Sequence, residues 1–153
     1  MYPSNLVMAV QKCGPNVVKK EDVLAVLPFL RQSPRRFIQR HYKYGESFDT
    51  IAATTRCLAQ YIQQSIYWGL RDLYNYTSAM SKHPNLNLQI GSIPIPERAL
   101  FPLQEAGILT IRDLYRNKDN LAQIPGYKKT QHEKVCCVLK TYRYDTSSLI
   151  DLF

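Results

Sequence analysis

The stretch Phe48-Asp49-Thr50-Ile51-Ala52-Ala53-Thr54-Thr55-Arg56-Cys57-Leu58-Ala59-Gln60-Tyr61-Ile62-Gln63-Gln64-Ser65-Ile66-Tyr67-Trp68-Gly69-Leu70-Arg71-Asp72-Leu73 decides the fold class. Within it Ile51, Ala52, Thr55, Leu58, Ile62, Ile66, Leu70 and Leu73 recur at steps of three and four residues, the spacing of one buried face on an α-helix. Two threonines and a cysteine between Thr54 and Cys57 weaken helix propensity, so the pattern breaks there into two helices. Before it, Tyr44-Gly45-Glu46-Ser47 reads as a turn, with Ser47 able to cap the helix that follows. Ser33-Pro34 reads as another helix start, Ser as N-cap and Pro at the first helical position, running through Phe37, Ile38 and His41 to about Lys43. Further upstream, Lys20 to Leu30 is helical by pattern, with Val23, Leu24, Leu27 and Leu30 on one face.

Downstream, Ser81 to Pro96 holds three prolines, two asparagines and a glycine. Proline removes donors and forces the preceding residue out of the α region, so helix cannot persist there, and the stretch reads as a linker with some of its Ile and Leu packing against a neighbouring domain. Beyond it, Glu97 to Ala106 is a short helix closed by Gly107, and Thr110 caps a second, Ile111 to Tyr115. A single turn through Leu121 to Gln123 and a tight turn over Ile124 to Lys129 lead into a last helix, Thr130 to Tyr142. The expectation is an all-α chain: a helical domain over residues 1–80, a linker over 81–92, a helical module over 93–144 and a tail over 145–153.

Composition agrees with that class. The chain of 153 residues is 45% hydrophobic and 21% charged, with only 6 glycines and no alternating β-branched runs. Apolar stretches are too short to cross a bilayer, and Met1 to Val10 lacks a basic leader, so a cytoplasmic protein is expected. Cys13, Cys57, Cys136 and Cys137 form no Cys-x-x-Cys pair, and His41, His83 and His132 lie far apart, which gives a metal site no support. The net charge of +8 is concentrated in two blocks, +4 over residues 31–76 and +4 over 94–144. Two basic blocks suggest two surfaces facing a polyanion.

Ser33-Pro34-Arg35-Arg36, Tyr44-Gly45, Phe48-Asp49-Thr50-Ile51-Ala52 and Gly69-Leu70-Arg71-Asp72-Leu73 together resemble the helix-turn-helix of bacterial sigma factor region 4, over about residues 33–73. The family's turn glycine falls here on Arg56. The resemblance implies a recognition helix beginning near Leu58, with Ala59, Gln60, Gln63, Gln64 and Tyr67 outward and Ile62, Ile66 and Leu70 inward. Glutamine suits such a face because its amide pairs with adenine N6 and N7 in the major groove. Arg35, Arg36, Arg40 and Arg56 would hold phosphates, which position without specifying.

A second resemblance covers about residues 93–140. Arg98, the run Ala106-Gly107-Ile108-Leu109-Thr110-Ile111-Arg112-Asp113-Leu114, Leu121, and Ile124-Pro125-Gly126-Tyr127-Lys128-Lys129-Thr130 resemble the C-terminal domain of the RNA polymerase α subunit, a relative of helix-hairpin-helix modules. That implies Arg98 in the minor groove and Gly126, Lys128, Lys129 and Thr130 as a phosphate cradle at a helix N-terminus. The family's second hairpin glycine falls on Lys128, and its polar residue three after the arginine falls on Phe101.

The last residues, Asp145 to Phe153, are acidic and apolar and end Ser-Leu-Ile-Asp-Leu-Phe. Ile150, Leu152 and Phe153 resemble part of a sliding-clamp-binding peptide, with Leu149 at the family's leading glutamine; the other reading is a tail folded onto the core. No nucleophile–base spacing, Walker-type loop or paired carboxylates are present in the sequence, so no catalytic residue, metal or cofactor is expected. The expected function is a DNA-binding, transcription-associated factor contacting promoter DNA and RNA polymerase subunits. Two alternatives stay open: an adaptor, phage- or plasmid-encoded, that binds polymerase subunits or the sliding clamp without reading sequence, and a non-specific DNA-binding accessory of repair or recombination.

Overall fold

A computed structural model describes residues 1–80 and 84–153; Ser81, Lys82 and His83, at the start of the expected linker, lie outside the described residues. The chain is mostly helical, and among the described residues no strand is formed beyond an isolated bridge between Gln89 and Thr110. It divides into two compact units, Met1–Ser78 and Ala79–Phe153.

In the first unit, α1 (Ser4–Gln11) packs against α2 (Lys20–Val26). The loop between them is held from both ends. Gln11 donates through Nε2 to the carbonyls of Gly14 (3.2 Å) and Asn16 (2.8 Å), and its Oε1 accepts from Val18 N. Asn16 N donates to the Tyr74 hydroxyl at 2.9 Å. α2 passes into a 3-10 turn, Leu27–Phe29, where Pro28 cannot continue the α-helical ladder. Val23, Val26, Leu27 and Leu30 are buried at i, i+3, i+4 and i+7; Leu24, expected on the same face, lies one residue round from that stripe and is exposed.

α3 (Gln32–Ile38) begins one residue before the expected Ser33 cap, with Arg31 in extended backbone and no side-chain cap. It runs on as a π turn over Gln39–Lys43, closed by Tyr44 N to Gln39 O at 3.2 Å. α4 (Phe48–Thr55) is capped by the Ser47 hydroxyl, which accepts from Thr50 N. It stops at Arg56, which takes the left-handed conformation, φ 58° and ψ 34°. The hydroxyl of Thr55 donates to Ile51 O at 2.7 Å and that of Thr54 to Ile51 O at 3.1 Å. α5 (Ala59–Met80) follows, burying Ile62, Ile66, Leu70 and Leu73. It runs close to α3 at Gly69, where a methyl group would stand 2.7 Å from Ile38 Cδ1 and 3.0 Å from Pro34 Cβ.

In the second unit, the part of the expected linker from Asn85 onward belongs to the core. Ile90 N donates to Leu109 O, Ile111 N to Leu88 O and Arg112 N to Leu86 O, at 2.8–3.0 Å. Ile90, Ile93 and Ile95 are buried, and the Tyr144 hydroxyl donates to Asn85 O at 2.7 Å. No α-helix forms between the prolines; apart from a 3-10 turn, Ile90–Ser92, the stretch is irregular, and its backbone groups pair with Leu109 and the first residues of α7.

α6 (Glu97–Glu105) ends at Gly107 with φ +84°, and packs against α8. α7 (Ile111–Arg116) carries a reciprocal cap: Thr110 Oγ1 accepts from Asp113 N, and Asp113 accepts from Thr110 N, each at 3.1 Å. The same carboxylate accepts from Leu109 N, and these backbone donors hold its pKa below the ordinary value. A 3-10 turn, Lys118–Gln123, buries Leu121 and leads through Gly126 (φ +82°) into α8 (Lys129–Thr141), which buries His132, Val135, Val138 and Leu139.

The tail folds back. Leu149 is fully buried and Thr146 nearly so, while Phe153 packs on His132 and Tyr127, with ring centroids 4.8 and 5.8 Å away. Tyr115 donates its hydroxyl to Asp145 O. Of the residues assigned to a docking peptide, Ile150 stays exposed, Leu152 is half-buried and Phe153 is engaged by the core.

Candidate nucleic-acid interface

α5 supplies the densest set of outward side chains with recognition chemistry. Gln60, Gln63, Gln64 and Tyr67 are all exposed, flanking the buried stripe Ile62, Ile66 and Leu70, and Ala59 is half-buried. Buried and exposed positions alternate at the helical period, so one stripe is fixed by the core and the other is presented rigidly. The left-handed turn at Arg56 sets the entry into α5 and leaves Arg56 itself exposed. Leu58 is exposed as well, outside the core stripe in which its spacing placed it.

The arginines assigned to phosphate differ in their commitments. Arg36 and Arg56 are exposed. Arg35 donates from Nη1 to Pro28 O at 2.7 Å, tying α3 to the preceding turn. Arg40 is gripped: Nε and Nη2 donate to the two Glu46 oxygens at 2.6 and 2.8 Å, and Nη2 also donates to Thr54 Oγ1 at 2.7 Å. That fork raises the guanidinium's pKa and lowers that of Glu46. Arg40 therefore bridges the π turn and α4, a structural role that its place in the sequence does not announce.

The recognition-helix reading names the glutamines and Tyr67 but passes over Tyr61 and Trp68. Tyr61, Tyr67 and Trp68 are each about half exposed, at 49%, 50% and 53%. Arg71 donates to the Tyr67 hydroxyl at 3.2 Å, and its guanidinium lies 5.9 Å from the centroids of both Tyr67 and Trp68. A cleft of about 450 Å³ opens here, with the Arg31–Pro34 segment on one wall and Tyr61, Gln64, Ser65 and Trp68 on the other. The seven-residue step from Tyr61 to Trp68 was a legible signal for this stripe.

In the second unit Arg98 is exposed on α6, beside the exposed Phe101. Gly126, Lys128, Lys129 and Thr130 are exposed at the start of α8, where Lys128 N donates to Gln131 Oε1 at 3.0 Å. One of the free N–H groups at this helix start is thus satisfied by the chain itself.

Away from these surfaces, His132 is buried with both ring nitrogens engaged. Nε2 faces the Leu149 carbonyl at 2.5 Å and Nδ1 the Tyr127 hydroxyl at 2.8 Å. A carbonyl only accepts, so Nε2 carries the proton; in the neutral ring Nδ1 is then the acceptor for the Tyr127 hydroxyl. Burial pushes the Tyr127 hydroxyl above the usual tyrosine range, which keeps it a donor. Cys136 Sγ lies 3.5 Å from Nε2, but burial raises the thiol's pKa, and a protonated Nε2 cannot act as its base. The arrangement is a packing network. Among the described residues no three His, Cys, Asp or Glu side chains converge as metal ligands, and no helix is long and apolar enough to cross a membrane.

No family model matches the chain, and no curated protein or solved structure does either. Function therefore has to be read from the geometry and from the resemblances in the sequence.

Proposed function

We propose that the protein binds duplex DNA with α5 as its reading helix, as a cytoplasmic, transcription-associated factor that contacts promoter DNA and RNA polymerase subunits. The observation that carries the reading is the exposed stripe Gln60, Gln63, Gln64 and Tyr67, delivered directly after the tight left-handed turn at Arg56. Glutamine amides at helical spacing match adenine edges in the major groove, and Arg36 and Arg56 supply point contacts to phosphate. The second unit, with Arg98 and the Lys128-Lys129 pair exposed, adds a second basic surface, of the kind that the resemblance to the polymerase α C-terminal domain implies.

The sliding-clamp alternative loses ground. Leu149 and Phe153 would have to leave His132 and Tyr127 before a clamp could take them, and the burial of Leu149 opposes that release.

Fluorescence anisotropy of the whole chain on labelled duplexes across a salt series tests the proposal. Affinity should fall steeply as salt rises. Changing Gln60, Gln63 and Gln64 to Ala should reduce discrimination among sequences by about 1–3 kcal/mol per good base contact while sparing non-specific binding. Full sequence preference in the triple variant would remove α5 as the reader. Salt-independent binding, or none at low salt, would remove the proposal and favour the protein adaptor.

A further inference from the structure

We propose that the cleft between the start of α3 and the Tyr61–Trp68 stripe of α5 is a binding site for an unpaired base of single-stranded nucleic acid. This goes beyond the duplex reading and does not depend on it. On a helix that turns about 100° per residue, Gln60, Gln63 and Tyr67 lie together, whereas Tyr61, Ser65 and Trp68 lie on the adjoining stripe, with Gln64 between the two sets. One helix thus presents two adjacent faces of different chemistry.

The first ground is the rings. Tyr61 and Trp68 are two turns apart on one stripe, so they flank a common space, and each is half exposed. Each is also braced by a neighbour. Tyr61 packs edge-on against Phe37 (6.2 Å, 84°) and Trp68 edge-on against Tyr67 (5.5 Å, 68°). Braced rings lose little freedom when a planar ligand stacks on them, and every base offers a π-face.

The second ground is the polar lining. Gln64, on the wall between the two rings, carries both a donor and an acceptor on its amide, the complement of a base edge that pairing has left free. None of the residues lining the cleft is acidic, and its one charged residue is Arg31, which also acts on Asp72. A lining with a cation, amides and hydroxyls and no carboxylate suits a nucleotide better than an apolar segment. An apolar protein segment would instead bury Gln32, Ser33, Gln64 and Ser65 against carbon.

The third ground is size. About 450 Å³ lies within the range of sites that enclose small organic ligands, and it is room for one nucleotide, not for a duplex. The close approach of α3 and α5 at Gly69 holds Pro34, on one wall, against the helix that carries Trp68 on the other.

The chain carries its own reporter, because Trp68 is its only tryptophan. The whole protein is titrated at low salt with a six-nucleotide oligothymidylate while Trp68 emission is followed, and with a blunt duplex of matched length in parallel. The expected result is saturable quenching by the single strand that Tyr61→Ala weakens, whereas any Trp68 change caused by a duplex lying on Tyr67 should be unaffected by Tyr61→Ala. Single-strand quenching as insensitive to Tyr61→Ala as the duplex signal would overturn the site. Gln64→Ala and Tyr61→Ala should each weaken that titration about tenfold, the order of one lost stacking or edge contact. Gln64 is exposed, so its variant serves even if Tyr61→Ala disturbs Phe37.

If the duplex binds by anisotropy and the single strand leaves Trp68 unchanged, this site is lost and the duplex reading stands. If the single strand quenches and no duplex binds, this site stands and the duplex reading is lost. Quenching that neither substitution weakens would place the base elsewhere and overturn the proposal. Quenching by an apolar helical peptide, with none by the oligonucleotide, would make the cleft a protein groove and also overturn it.

Discussion

Leu149→Ala is the substitution that separates a tail built into the fold from one that hangs free. Leu149 is fully buried, and its carbonyl accepts the His132 Nε2 proton at 2.5 Å. Truncation removes roughly three buried carbons, about 0.8 kcal/mol each as lost transfer free energy. The cavity left beside His132 adds to that, for an expected loss of about 2–5 kcal/mol. In a unit the size of Ala79–Phe153, 1 kcal/mol moves the melting temperature by about 4–8 °C, so the drop should be roughly 10 °C or more. The neighbouring Ile150→Ala is the control. Ile150 is 54% exposed, and its loss should cost no more than about 0.5 kcal/mol. Circular dichroism melts of the whole chain read both. A free docking peptide predicts that neither substitution matters; if Leu149→Ala melts within about 2 °C of the parent, the tail is not part of the core and the assignment of His132 as a packing residue fails with it.

Arg56→Gly should raise stability by up to roughly 1 kcal/mol, since only glycine takes the left-handed region without steric cost, yet lower the salt slope of duplex binding by about one phosphate contact. Thermal melts and anisotropy should thus move in opposite directions. Thr110→Ala should cost about 1 kcal/mol by opening the reciprocal cap of α7, measured by chemical denaturation. The Asp113 carboxylate in that cap has its pKa lowered from 3.8, so the stability it lends is present above that pH and fades as pH falls through the lowered value. At the other end Tyr127 is raised from 10.0 by burial, so its contribution persists below pH 10 and is lost as pH rises through the folded value. An acid melt of Asp113→Asn that follows the parent's pH profile would refute the first of these. Glu46→Gln should steepen the salt dependence of duplex binding by freeing Arg40.

Much of the helical frame was legible, because caps and periodicity act locally. Ser47, Thr110 and Gly107 do at helix ends what their side chains, or the lack of one, dictate, and the core stripe of α5 follows from its three- and four-residue steps. What was illegible depended on distant partners. The end of α4 was expected from weak propensity at Thr54–Cys57; in the structure those threonines cap carbonyls, and the break comes from Arg56 in the left-handed region. Residues 85–92 resemble a linker in composition, and only the pairing with residues 109–112 makes them part of the core. The acidic, apolar tail leaves a docking peptide and a segment folded onto the core both open, and it is His132, seventeen residues upstream, that holds it to the core through the Leu149 carbonyl. α1 was not read from the sequence: Ser4 and Asn5 lie inside its first turn, and its N-cap is Pro3, with no side-chain cap. At the candidate site the glutamine stripe followed from the helical period, but the cleft did not, since it needs the start of α3 brought alongside α5.

The same distinction governs how the positive charge should be counted. Residues 31–76 carry +4, which suggests a strong polyanion surface, but charge within that block is unequally available. Arg40 is spent on Glu46 and Thr54, and Arg35 on the Pro28 carbonyl, so Arg36 and Arg56 remain the exposed cations of these four. With about −0.9 in the logarithmic salt slope per phosphate neutralised, Arg36 and Arg56 together give roughly −2, where counting all four of these arginines would give about twice that. Glu46→Gln removes the carboxylate that holds Arg40 in its fork. The released guanidinium lies between the π turn and α4, close to the Arg56 turn, and should add close to one further contact. Binding should then strengthen at low salt and fall more steeply as salt rises, even as the link between Arg40 and α4 weakens. A slope unchanged in Glu46→Gln, with the fold intact by circular dichroism, would mean that Arg40 does not face the nucleic acid at all, and would turn the reading surface toward the α5 stripe alone.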